Sequence, residues 1–115
     1  MSNPARRKDM NLKRPYFMLV ADGTKTVEVR VAYESMKKIE PGWEILFHSG
    51  DEECLTRVRD VRTYSSFEGM LDHEDMRAIG GELGESRGDL LRAIRDIYSP
   101  EKEALGVLAI EIERI

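Results

Sequence analysis

The chain has 115 residues, 41% hydrophobic and 35% charged, enough for one domain that buries its own core without disulfides or a structural metal. No apolar run approaches the roughly 18 residues of a membrane span, no N-terminal apolar stretch marks a secretory signal, and the single Cys54 excludes an internal bridge, so a cytoplasmic protein without a membrane partner is expected. The net charge of −4 argues against a broadly basic nucleic-acid surface, but residues 1–62 hold 12 Lys/Arg against 10 Asp/Glu while residues 63–115 hold 6 against 12. That asymmetry leaves room for a local basic groove on an acidic body.

Residues 1–9 read as a flexible tail and residues 10–115 as a single domain. Met10 and Leu12 alternate with polar neighbours and suggest a short strand. Pro15 opens a short helix over 15–22, with Tyr16, Leu19 and Val20 at helical spacing and Gly23 in the left-handed position behind it. Residues 26–33 form the clearest strand: Val27, Val29 and Val31 alternate with Thr26, Glu28 and Arg30. A helical turn over 34–39 and a Pro41-Gly42 turn lead to an apolar strand at 43–48. After Gly50-Asp51, residues 54–64 form a third long strand, and the three-residue step from Val58 to Val61 predicts a bulge near Asp60.

Ser65 and Glu68 have capping-box spacing ahead of a stripe of Phe67, Met70 and Leu71. Gly80, Gly81 and Gly84 break the middle of the chain. Ser86 and Asp89 then cap a helix whose apolar face is Leu90, Leu91, Ile94, Ile97 and Tyr98. Ser99-Pro100 opens one more helical turn, and residues 106–115 alternate as a closing strand. Strands that follow one another without regular βαβ alternation exclude a doubly wound parallel sheet. The fold class is α+β: a small mixed β-barrel or curled sheet of five to six strands with peripheral helices.

The densest polar constellation is Gly23, Thr24, Lys25, Thr26, Glu28 and Arg30. Glu28 and Arg30 lie two apart, so they share a strand face about 7 Å apart. With the three valines turned to a core, both face away from it. Lys25 has the wrong parity and joins them only if residues 23–25 belong to a turn. Such a set can hold a phosphate, a base edge or a carboxylate, or Glu28 and Arg30 can simply pair on a polar strand face. Arg57 and Arg59 share a face of the third long strand and could extend a backbone-binding stripe, which Arg62 joins across the bulge. His48 reads as a boundary histidine, His73 as part of a solvated helix end and Cys54 as an inert boundary thiol; no metal site and no cofactor is expected.

The stretch Gly23-Thr24-Lys25-Thr26-Val27-Glu28-Val29-Arg30 resembles the GxKxxExR signature of ASCH domains. Residues 39–47, the segment from Arg57 to Phe67, and residues 99–110 resemble further segments of that family in the same order. Trp43 and Leu105 depart from its usual residues, outside the signature. The resemblance implies a PUA-like barrel and RNA or nucleotide binding in a cleft lined by Lys25, Glu28 and Arg30. Arg57 and Arg59 would assist with phosphates, and Tyr64, Phe67 or Tyr98 would stack a base. Ribonuclease activity in some members implies a second reading, a hydrolase with Lys25 and Glu28 as catalytic groups. ASCH-like amidohydrolases acting on acetylated cytidine place a threonine nucleophile where this chain has Glu28, which cannot form the same activated hydroxyl. A protein-binding adaptor is the third reading. The site is expected as one solvent-accessible cleft with Tyr64 at its edge. Charge reversal at Lys25 is expected to abolish binding and spare the thermal midpoint.

Overall fold

The computed structural model describes residues 6–80 and 86–115. Five strands and six helices follow one another among these residues: β1 (Arg7–Asn11), α1 (Arg14–Ala21), β2 (Val27–Val31), α2 (Glu34–Lys37), β3 (Glu44–Ser49), β4 (Glu52–Tyr64), α3 (Phe67–His73), α4 (Met76–Gly80), α5 (Arg87–Ile97), α6 (Pro100–Glu103) and β5 (Val107–Arg114). The strands form one sheet in the order β1-β3-β4-β5-β2. Only the β1–β3 pair is parallel; β3–β4, β4–β5 and β5–β2 are antiparallel. The sheet curls into a half-barrel with helices around it, and β1 and β2 are its two edges. Among the described residues no helix is long and apolar enough to cross a membrane.

The expected strands at 26–33, 43–48, 54–64 and 106–115 all form. The expected bulge is there too, as a register shift between Val58 and Asp60. Without it Val58 and Val61 would point to opposite faces; with it they oppose Ile112 and Ile110 and both join the inner core.

Two boundaries differ from the sequence reading. Strand β1 starts at Arg7, so Arg7, Lys8 and Asp9 are sheet residues rather than tail; Arg7 pairs with Glu44 in register, and the Glu44 N–H donates to the Arg6 carbonyl at 2.8 Å. Parallel pairing to β3 draws in a polar segment whose one buried side chain is Met10. The cap of α3 is Ser66 and not Ser65: its hydroxyl accepts the Gly69 N–H. Ser86 and Ser99 cap α5 and α6 as expected. The first five residues of the expected tail, with Gly81 and Gly84, lie outside the described residues.

The sheet has an apolar layer on each face. On the inner face Ile45, Phe47, Val58, Leu108 and Ile110 pack with Phe17 and Val20 of α1. On the outer face Val27, Val31, Val107 and Ala109 pack against Phe67 and Met70 of α3, with Ile79, Leu90 and Ile94 from α4 and α5. Strand β5 supplies both layers by simple alternation, so it reads as a continuous apolar run. Cys54 lies in the inner layer, where burial pushes its thiol pKa up. This two-sided burial determines the environment of the polar face of β2.

Candidate functional site

The site is built at the free edge of β2. Helix α1 ends at Ala21, and Gly23 takes a φ of +86°, the left-handed conformation that turns the chain back. The Lys25 N–H then reaches the Leu19 carbonyl at 3.0 Å, and the Thr24 N–H is held by the Asp22 carboxylate at 2.8 Å. Residues 23–26 therefore precede the strand, and Lys25 escapes its parity. The Lys25 side chain folds onto the strand edge beside Glu28, as the turn alternative requires.

The Lys25 ammonium donates to the carbonyls of Val27 at 2.6 Å and Ile79 at 2.7 Å, and its Nζ lies 3.2 Å from Glu28 Oε1. Those three acceptors match the three N–H bonds of an ammonium. The other Glu28 oxygen accepts from Arg30 Nε at 2.7 Å. Arg30 Nη2 donates to the Asn11 carbonyl at 3.1 Å. Lys25, Glu28 and Arg30 thus form one continuous relay across the edge strand.

Burial corrects the expectation of an open polar face. Lys25 is only 4% exposed and Glu28 only 5%. The valines do face the outer core, but the opposite face of β2 looks onto the inner one: Glu28 and Arg30 oppose Ile110 and Leu108 in the register. Burial pulls the Lys25 pKa below its ordinary value, with Glu28 opposing it. Burial pushes Glu28 upward, but the neighbouring Lys25 and Arg30 charges outweigh it and leave the carboxyl below its usual range. Arg30, with a side chain 20% exposed, is the member of the relay that reaches water.

A cavity of about 320 Å³ opens beside this relay. Lys25, Glu28 and Arg30 form its polar floor. Leu12, Lys13 and Tyr16, from the segment joining β1 to α1 and from α1 itself, form one wall. Leu90, Ile94 and Ile97 of α5, followed by Tyr98, form the other. The Tyr98 ring stacks on buried Phe67 with centroids 5.9 Å apart, which fixes its plane. An apolar pocket with a few convergent polar groups has the general make-up of a small-molecule site, and this volume is at the lower end of the roughly 300–1,000 Å³ such sites occupy.

The structure brings Lys25, Glu28, Arg30 and Tyr98 together at the cavity and leaves the other candidates elsewhere. Tyr64 does not line the cavity. Its hydroxyl donates to Glu74, and its ring stacks on His73 with centroids 5.7 Å apart. Arg62 holds Glu74 through two 2.7 Å bonds and also reaches Asp60 and Glu111. Arg57 and Arg59 point away from the cleft, toward Glu44 at 3.5 Å and Glu113 at 2.6 Å. The proposed basic stripe is a set of ion pairs. His48 lies between Asp9 and Glu53 at 3.2 and 3.5 Å. Phe67 is fully buried beneath Tyr98.

Asn11, Lys13 and Tyr16 were not singled out in the sequence as site residues. Their role depends on the approach of β1 to β2 across the open side of the sheet, which no local pattern encodes. Ile94 and Ile97 read as ordinary core, and Ile97, 60% exposed at the cavity wall, departs from that reading. An isoleucine on the last turn of an otherwise buried stripe was the available signal.

The ASCH domain family matches residues 10–115. Among solved structures, the crystal structure of hypothetical protein PH0355 is 34% identical, superposes with a TM-score of 0.86, and the match covers 95% of this chain and 99% of that one. The solution structure of protein PF0455 from Pyrococcus furiosus is 30% identical with a TM-score of 0.68, over 95% of this chain and 97% of that one. The ASCH domain from Lactobacillus crispatus JV V101 shares the fold at 14% identity, with a TM-score of 0.69 over 95% of this chain and 79% of that one. No curated protein matches. With its signature residues gathered into a single relay and the family match spanning nearly its whole length, the chain belongs to the ASCH domain family.

Proposed function

We propose that this protein binds a nucleotide, or one nucleotide unit of single-stranded RNA, in the cleft beside β2. The observation that carries this reading is the pairing of an apolar pocket about 320 Å³ in volume with an Arg30 guanidinium at its floor. The pocket suits one planar ring between Tyr16, Tyr98 and the α5 side chains. Arg30 Nε and Nη2 are engaged, and Nη1 has no partner among the described residues, so it remains to take a phosphate or carbonyl oxygen. Lys13 stands exposed at the rim, with no carboxylate within 4 Å among the described residues. Lys25 and Glu28 act by positioning: their hydrogen bonds are spent on the protein, and they hold Arg30 in place.

Charge distribution favours a single-unit site over a long backbone groove. The net charge is −4, and Arg57, Arg59 and Arg62 are all paired with carboxylates. With one or two phosphates contacted by Arg30 and Lys13, affinity for a short single-stranded RNA falls less than about tenfold between 50 and 200 mM salt. Fluorescence anisotropy with a labelled oligonucleotide measures this slope. A loss of hundreds-fold requires many phosphate contacts and contradicts the single-unit site. No saturable binding of RNA or of any ribonucleotide at millimolar concentration overturns the reading and leaves the adaptor alternative.

A further inference from the structure

The cavity is lined from both faces of one strand. Glu28 and Arg30 belong to the inner face of β2 and Val29 to the outer, yet all three border it. A cavity bordered by both faces of a strand lies along that strand's edge. The edge presents backbone, not side chains.

The register says which backbone groups point there. Ile112 donates its N–H to the Thr26 carbonyl, and Ala32 donates to the Gly106 carbonyl, both at 2.9 Å. Even-numbered residues of β2 therefore turn their N–H and C=O groups toward β5, and Val27, Val29 and Val31 turn theirs to the open edge. Two of these three carbonyls are occupied. Lys25 Nζ donates to that of Val27 at 2.6 Å, and the Tyr33 N–H donates to that of Val31 at 2.9 Å. Val29 alone keeps both its N–H and its C=O without a partner among the described residues, and it borders the cavity. Half-buried at an open cavity, these two groups are accessible to water and therefore to the donor and acceptor of a ligand.

Resting on the nucleotide reading above, we propose that the Val29 main-chain N–H and C=O are the specificity element of the cleft, pairing with the Watson–Crick edge of a single unpaired nucleobase. The base edges uracil N3–H/O4, guanine N1–H/O6, adenine N6–H/N1 and cytosine N4–H/N3 each set one donor beside one acceptor. An extended residue offers the complementary acceptor and donor side by side. An added peptide strand is disfavoured: it would need alternate residues along the edge, and the flanking carbonyls are already bonded. The pocket thus admits a base that is not paired, with its ring against Tyr16 and Tyr98 and its phosphate toward Arg30.

The test uses the full ¹⁵N-labelled chain and the four ribonucleoside 5′-monophosphates, each compared with its counterpart methylated on the Watson–Crick ring nitrogen. For every nucleotide that binds, the Val29 amide resonance shifts, and methylation weakens binding by about tenfold or more. Val29→Pro removes the N–H without breaking a ladder bond, because proline is tolerated where the N–H faces off an edge strand; it reduces binding about as much as methylation does. If nucleotides shift the Arg30 and Tyr98 signals but leave the Val29 amide still, or if the methylated nucleotides bind equally well, the Val29 assignment is overturned and the nucleotide reading stands. If no nucleotide shifts any cleft signal, the nucleotide reading falls and the Val29 assignment falls with it.

Discussion

Arg30 Nη2 donates to the Asn11 carbonyl at 3.1 Å, and this bond joins the two edge strands of the sheet, β2 and β1. The sheet order leaves those strands without a ladder between them, so a side chain spans the gap where a closed barrel would have backbone bonds. The same guanidinium is aligned by Glu28 on its other side. The group proposed to meet a ligand is therefore also a fastener of the fold.

Arg30→Lys keeps the charge but loses the planar fork that serves Glu28 and Asn11 together. It is expected to lower stability by about 1–2 kcal/mol and to weaken nucleotide binding at least tenfold. Urea unfolding and a nucleotide titration on the same variant measure both. An unchanged urea midpoint would show that the two edges are held by something else.

Lys25 presents a harder case because it is buried. Removing it strands the Glu28 carboxylate with one cation and leaves the Val27 and Ile79 carbonyls without their donor. Lys25→Met is expected to cost about 3–5 kcal/mol, and adding Glu28→Gln should recover part of that by removing the stranded charge. Lys25→Glu places two carboxylates together in a nearly dry site and is expected not to fold. The burial of Lys25 reverses the sequence-based expectation that charge reversal spares the thermal midpoint. A Lys25→Met midpoint within a degree of the parent would contradict the relay.

Several carboxyls make the fold sensitive to acid, Glu74 and Glu28 among them. Hydrogen bonds from Arg62 hold Glu74 below its ordinary value of 4.5, and Lys25 with Arg30 holds Glu28 below it despite burial. In both cases the unfolded chain takes up the proton first as the pH falls. The stability these groups supply is present in full above the ordinary carboxylate range and disappears as the pH falls through their folded-state values, below 4.5. Unfolding free energy measured from pH 7 to pH 3 should fall with a slope that Glu74→Gln makes shallower. An equal slope in that variant would remove Glu74 from the account.

The strands were legible because Val27, Val29 and Val31 carry a period-two pattern that only a sheet satisfies, and because the run from Val107 to Ile112 is short and almost continuously apolar, as a strand buried on both faces is. The bulge was legible because Val58 and Val61 are both apolar at a spacing that a regular strand would split. The signature on Lys25, Glu28 and Arg30 located the floor of the site, and parity placed Glu28 and Arg30 on one face. What local pattern could not convey was the environment of that face. A polar strand face reads as solvated unless something covers it, and here β1, α1 and α5 arrive from distant parts of the chain. Tyr64 failed for the same reason in reverse. It looked like a free aromatic after a basic strand, but Glu74, ten residues away, and Arg62 enclose it in an ion-pair cluster.

The arginines of β4 and the aromatic wall separate two views of the binding face. If RNA lay along β4, Arg57→Ala and Arg59→Ala would weaken it. If a single nucleotide sits beside β2, they should change binding less than twofold and stability by no more than about 0.5 kcal/mol, since both belong to exposed ion pairs. Tyr98→Ala should do the opposite. The ring lines the cavity and stacks on Phe67, so its removal opens the α5 wall; binding is expected to drop about tenfold or more for the lost stacking of about 1–3 kcal/mol per base. Tyr98→Phe keeps the ring and should retain most of the affinity, which separates loss of stacking from loss of the hydroxyl. One anisotropy series over the four variants decides between the faces: a strong effect of Arg57→Ala or Arg59→Ala beside a silent Tyr98→Ala would move the binding site from the cleft to the outer face of β4.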